Sequence, residues 1–179
     1  PGEEEALLAA WRQARAQGLE AQVLLVPRHA ERRAEVRQTL AAAGARGHFR
    51  TLGPAPGPVE VAVADTTGEL ALLTHLADVV FVGKSLPPHT EGQSPVEAAA
   101  LGKPLLLGPG MSNFRTVAGV ATVSAAPAAT RLLADPATRA TRGRAAEAWH
   151  ARNRGAADRT LAALQPFLTA PAAPARPDC

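Results

Sequence analysis

Short apolar runs alternate along this chain with longer stretches whose apolar positions recur at helical spacing. Glu3 to Gln17 (EEEALLAAWRQARAQ) is of the second kind, with Leu7, Leu8, Trp11 and Ala14 in register for one face. Its acidic first turn suits the helix dipole, and Gly18 supplies a stop. Ala21 to Val26 (AQVLLV) is nearly all apolar, as a parallel strand covered on both faces should be. A helix from Ala30 to Ala43, rich in Arg and Glu, ends at Gly44, and Phe49 to Leu52 reads as a short strand. After the loop Gly53 to Pro58 come a strand at Val59 to Ala64 and a helix from about Gly68 to Leu76.

The central stretch runs from Val79 to Phe114. Val79 to Val82 is a buried strand, a Gly/Pro-rich loop follows, and Ser94-Pro95-Val96-Glu97 begins a small-residue helix closed by Gly102. Pro104 to Leu107 is the next buried strand. Beyond it the pattern predicts a short helix at Asn113 to Val117 and an edge strand at Val120 to Val123. A helix at Ala126 to Ala134 and one long helix from Pro136 to about Leu164 complete the pattern. Strands and helices in this alternation predict a Rossmann-like α/β fold, a parallel sheet with right-handed crossovers, over residues 1–168. The Pro/Ala-rich remainder, 169–179, is expected to be a disordered tail.

Composition narrows the function. The chain of 179 residues is 46% hydrophobic and 20% charged, enough for one core of ordinary size. Aromatic residues make up 3%, leaving few platforms for stacking bases, and the net charge of +3 comes from arginines spread along the chain. Neither feature indicates a nucleic-acid partner. Cys179 is the one cysteine, so there is no disulfide framework, and a reducing, cytoplasmic setting fits. No apolar run approaches the roughly 18 residues of a membrane span. The start at Pro1, with no signal peptide, suggests a fragment of something longer.

Three polar groups follow strand ends: Pro27-Arg28-His29, Asp65 to Glu69, and Gly83 to Glu97. In a parallel sheet all three face the edge where open α/β folds bind ligands. Arg28 offers a planar donor fork for phosphate or carboxylate; a surface arginine paired with Glu31 would look the same, and the strand-end position favours the ligand. His29 reads more simply as structural. Thr66-Thr67-Gly68-Glu69 and Ser94-Pro95-Val96-Glu97 both match the capping box. Capping takes precedence for Glu69, whereas Glu97 is equally suited to ligand hydroxyls such as a ribose. A helix start is also an anion site, so capping and binding are compatible.

Gly83-Lys84-Ser85 invites a P-loop reading, which fails because Asp78 stands where GxxxxGK[ST] needs Gly and Pro87-Pro88 prevent the following helix. There is no GxGxxG either. Lys84 is as well read as a solvated loop lysine as a point charge for an anion. The five histidines show no HxH or HxxxH spacing, so no metal site is expected.

The ordered motifs VPRH, DTTGEL, FVGKSL, GQSPVEAAALGKPLLLGP and NF, with the opening PGEEE, resemble the C-terminal half of 3-deoxy-D-manno-octulosonic acid (Kdo) transferases over about residues 1–165. That resemblance implies an inverting GT-B glycosyltransferase moving Kdo from CMP-Kdo to a lipid A precursor, at the cytoplasmic face of the bacterial inner membrane. It implies that this part, a soluble fragment, binds the donor, while a preceding domain carries the acceptor site and the catalytic base. The donor-binding set would then be Arg28, Asp65, Thr66, Gly68, Glu69, Gly83, Lys84, Ser85, Gly92, Gln93, Ser94 and Glu97, with no catalytic residue and no metal or cofactor. Arg28 and the N–H groups at the Ser94 helix start would accept the charge left on the CMP phosphate. The chain departs from the family at Lys84 and Glu91, usually Gly, at Gln93, usually His, at Ser94, usually Asn, and at Ala98, usually Pro. Two alternatives stand beside this: another GT-B transferase or epimerase using a UDP-sugar, and a non-catalytic nucleotide- or anion-binding module.

Overall fold

The computed structural model describes residues 2–119, 122–123 and 125–168. Helix α1 (Glu3–Ala16) leads to β1 (Val23–Leu25), and a 3₁₀ turn (Ala30–Arg32) precedes α2 (Arg33–Ala42). Strand β2 (Gly47–Phe49), a 3₁₀ turn (Arg50–Leu52), β3 (Val61–Val63) and α3 (Leu70–Thr74) follow. Then come β4 (Val80–Phe81), α4 (Val96–Ala100), β5 (Leu105–Leu107), a 3₁₀ segment (Ser112–Gly119) and β6 (Thr122–Val123). Helices α5 (Ala125–Ala134), α6 (Pro136–Asn153) and α7 (Ala156–Leu168) end the described chain.

Among the described residues every strand pairing is parallel, in two groups ordered β1-β3-β2 and β4-β5-β6. This is the expected α/β class. Each group has its own core. Leu25, Val36, Leu40, Phe49, Val61 and Val63 pack with Leu8 of α1 on one side. Val82, Leu105, Leu107, Met111 and Val117 pack with Ala146 and Trp149 of α6 on the other. A third cluster joins Ala10 of α1 to Leu106 and to Ala128, Ala129 and Leu132 of α5. Helix α1 therefore reaches both halves: its alanines permit close approach to α5, while Leu8 fills the first core.

Several boundaries differ from the pattern. The expected strand at Phe49 to Leu52 starts earlier, at Gly47, and Arg50–Leu52 turns into 3₁₀. The short helix expected at Asn113 to Val117 is a 3₁₀ segment kinked at Phe114. The single long helix splits because Arg154 is extended and Gly155 adopts φ 73°. No described side chain of α7 is buried, so packing does not hold it in line with α6. Val120 and Ala121 of the predicted edge strand and the tail at 169–179 lie outside the described residues.

Helix α6 crosses the end of α4 at two glycines. A Cβ on Gly143 would stand 2.2 Å from the carbonyl oxygen of Gly102, which itself turns at φ 62°. We predict that Gly143→Ala forces these backbones apart and destabilises the domain by about 1–3 kcal/mol. A shift of the urea midpoint measures it.

Candidate functional site

The loops after β1 and β3 leave the carboxyl edge of one strand group, while the loop after β4 leaves that of the other, where the sequence predicted a single sheet. Between these loops the Arg28 guanidinium lies 3.4 Å from Oε1 of Gln93, although the two residues belong to different halves of the chain. Arg28 is exposed and Gln93 half-buried, so both remain open to a ligand.

The loop after β4 is built differently from expectation. Its backbone N–H groups do converge on an anion, but that anion is the carboxylate of Glu3. Lys84 N–H donates to Oε2 at 2.7 Å, and the N–H groups of Ser85 and Leu86 donate to Oε1 at 2.8 and 3.0 Å. Gly83 sits against the same carboxylate, where an added Cβ would be 3.3 Å from Oε2. The Ser85 side chain is fully buried: its hydroxyl donates to the Val82 carbonyl at 2.5 Å and accepts from the Gly108 N–H at 2.9 Å. Gly92 is buried with φ 69°, and a Cβ there would strike Sδ of Met111 at 2.3 Å. Gly83, Ser85 and Gly92 thus have structural roles in this arrangement. The reason is that this loop packs against the loop after β5, where Gly108 and Gly110 leave no room for side chains.

Lys84 adopts φ 53°, the left-handed region that favours glycine, which explains the usual glycine of the resembling family at that position. Its ammonium pairs with Oε1 of Glu91 at 3.3 Å. The Thr90 N–H, chiefly, and Lys84 hold the Glu91 carboxyl below the usual range. Two departures from the family pattern therefore meet as an ion pair.

At the end of β3, Asp65 is also committed. It is buried and accepts from the Thr51 N–H at 3.0 Å and the Thr51 hydroxyl at 2.6 Å, while Arg33 Nε lies at 2.5 Å. Burial alone would raise the Asp65 carboxyl, but the Thr51 hydrogen bonds, its own backbone N–H and Arg33 outweigh that and lower it. Asp65 fastens the turn. Glu69 takes a bidentate fork from Arg50, at 2.7 Å to Oε2 and 2.5 Å to Oε1, and the Thr66 hydroxyl donates to the same carboxylate. Helix α3 starts at Leu70, so Glu69 is its N-cap residue and the predicted capping box is replaced by a side-chain cluster. Thr66 is half-buried and Gly68 exposed beside that cluster.

Before α4, the Ser94 hydroxyl accepts from the Val96 N–H at 3.3 Å, so Ser94 caps the turn. Glu97 does not complete a capping box; it is exposed, as the ligand-facing alternative requires. Helix α4 has only five residues, which leaves little aligned dipole for an anion. Sequence reasoning missed Glu3, Arg33, Arg50 and Thr51, each of which acts on a group far away in the chain. The triple-Glu start was read as a dipole effect, and only its crowding of charge hinted at more. Among the described residues no group of three or more His, Cys, Asp or Glu converges as a metal site would.

No family profile matches the chain. It is 39% identical over 159 residues to a 3-deoxy-D-manno-octulosonic acid transferase of Bordetella pertussis, covering 82% of this chain and 37% of that protein. It is 34% identical over 180 residues to the transferase of the same description from Haemophilus influenzae, covering 93% of this chain and 42% of that protein. The chain therefore spans about two fifths of the length of these relatives. Among solved structures it is similar to the C-terminal CMP-Kdo binding domain of WaaA from Acinetobacter baumannii, with a TM-score of 0.73 and 26% identity over 82% of each chain.

The Arg50 fork, and after it the Thr66 hydroxyl, hold the Glu69 carboxyl down to about 2 from 4.5. Ionisation that is easier folded than unfolded stabilises the fold above the ordinary value, and this contribution is lost as pH falls through about 2. Arg50→Ala is expected to move the Glu69 midpoint back up towards 4.5, read from the side-chain carboxyl shift by NMR.

Proposed function

The chain is related to the 3-deoxy-D-manno-octulosonic acid (Kdo) transferases and corresponds to their C-terminal domain; from that premise we propose that it binds the CMP-Kdo donor of an inverting GT-B glycosyltransferase. The observation that carries this reading is the likeness, over most of both chains, to a solved domain described as binding CMP-Kdo. The acceptor is a lipid A precursor reached at the inner-membrane surface. The acceptor site and the base are assigned to the part of the relatives' length that this chain does not span.

The chemistry asks one thing of this domain. When the bond from sugar C2 to the phosphate oxygen breaks, the electron pair stays on that oxygen and CMP leaves with added negative charge. A fixed cation aimed at this oxygen lowers the barrier more than it aids ground-state binding. Arg28 is the residue assigned to it, since its fork is exposed at the strand end and the Gln93 amide holds it without cancelling its charge. Lys84 contributes less, being paired with Glu91. Ser94, Glu97 and the Thr66–Glu69 turn, with Gly68, remain assigned to sugar and nucleotide hydroxyls. A donor group of this kind is worth roughly 2–4 kcal/mol in comparable sites.

Calorimetric titration of the 179-residue chain tests the reading. CMP is expected to bind in preference to UDP or UDP-GlcNAc, and Arg28→Ala to weaken CMP by about 10- to 100-fold, as loss of a hydrogen bond to a charged group does. Preference for UDP ligands would move the chain to a UDP-sugar enzyme. Binding without nucleotide preference would make it an anion module. Incubated with CMP-Kdo and a lipid A precursor, this chain alone is expected to transfer no sugar.

A further inference from the structure

The three glutamates that open α1 reach three different places. Glu4 pairs with Arg32 of the turn before α2 at 2.8 Å. Glu5 receives the Gly2 N–H at 2.9 Å and the Thr39 hydroxyl at 3.3 Å. Glu3 alone crosses to the loop after β4, where the N–H groups of Lys84, Ser85 and Leu86 surround its two oxygens. Three N–H dipoles aimed at one point repel one another unless a negative charge sits among them. The carboxylate is therefore what allows the loop to bend through Lys84 at φ 53°.

That bend sets the far side of the loop. The carbonyls of Gly83 and Lys84, turned away from the carboxylate, accept the N–H groups of Gln93 and Gly92, each at 2.9 Å. Gln93 is the residue that meets Arg28. An unbroken series of hydrogen bonds thus runs from Glu3, through the loop backbone, to the group assigned to the leaving phosphate.

We propose that Glu3 is a positioning residue of the donor site: its carboxylate fixes the Gly83-to-Leu86 backbone and thereby sets where Gln93 stands against Arg28. This rests on the donor-site reading above. Glu3 touches no ligand; it acts by holding a conformation that the loop's own N–H groups disfavour. The same carboxylate occupies the anion-binding capacity that Gly83-Lys84-Ser85 seemed to offer, so the donor phosphate falls to Arg28 and not to this loop.

The test uses the whole chain, with Glu4→Ala as a control that removes a neighbouring bridge of α1 and leaves the loop untouched. In Glu3→Ala, amide hydrogen exchange at Lys84 to Leu86, Gly92 and Gln93 should quicken about tenfold, and CMP affinity should fall about tenfold, the scale of one charged hydrogen bond. Glu3→Gln keeps one acceptor oxygen and should recover part of both effects; it also serves if the alanine variant does not fold. Glu4→Ala should leave both readouts within about twofold of the parent. Unchanged exchange at Gly92 and Gln93 in the Glu3 variants would overturn the proposal. So would an equal loss of CMP affinity in Glu4→Ala, which would make the effect one of helix stability. If the parent chain fails to bind CMP, the donor reading falls, while the exchange measurements still decide whether Glu3 holds the loop.

Discussion

A single carboxylate held by three backbone N–H groups connects the parts of this domain. Glu3 lies at the start of α1, the helix that also buries Leu8 in the β1-β3-β2 core and Ala10 against α5. The two strand groups and the loop after β4 are therefore referenced to one rigid element. A charged hydrogen bond is about twice as strong as a neutral one, and three on one group give a fixed point at an edge that would otherwise be free backbone. Site loops of α/β folds need such a fixed point, because a displacement of the order of 1 Å can remove most of a group's effect on a transition state.

The edge is organised by close packing as much as by hydrogen bonding. The loops after β4 and β5 approach through Gly92, Gly108 and Gly110, where an added Cβ would lie between 2.0 and 2.3 Å from the facing atom. Ser85 joins them from inside, accepting from Gly108 and donating to Val82. On the other side Asp65, fastened by Thr51 and Arg33, fixes the end of β3. These groups frame a rim on which Arg28, Gln93, Ser94 and Glu97 stay accessible. The pairing of Lys84 with Glu91 shows how that rim tolerates change: an added cation in the left-handed position is met by an added carboxylate across the loop.

Legibility in the sequence varied with the range of the interaction involved. Apolar runs such as Val79 to Val82 and Pro104 to Leu107 revealed the strands, since a strand covered on both faces has no polar period to disguise it. Gly102 and Pro95 marked the limits of α4 by local backbone chemistry. The break between α6 and α7 was missed because most of the surrounding residues are Ala and Arg, good helix formers, and Asn153 and Gly155 interrupt them only briefly. Both capping boxes looked complete in four residues, yet the Glu of each is governed by what lies around it. Glu69 is drawn to Arg50, and Glu97 faces solvent.

By itself, the sequence determined the order of strands and helices, the parallel class, and the family resemblance that points to the donor. All of these follow from local pattern, and local pattern is written in neighbouring residues. Tertiary structure alone decided which strand-end polar groups are free. Asp65, Ser85 and the N–H groups of Lys84 to Leu86 have partners as remote as Thr51, Gly108 and Glu3, and a donor or acceptor satisfied inside the fold has little left for a ligand. Arg28 and Gln93 were both candidates from the start, but only folding could bring them within reach of each other.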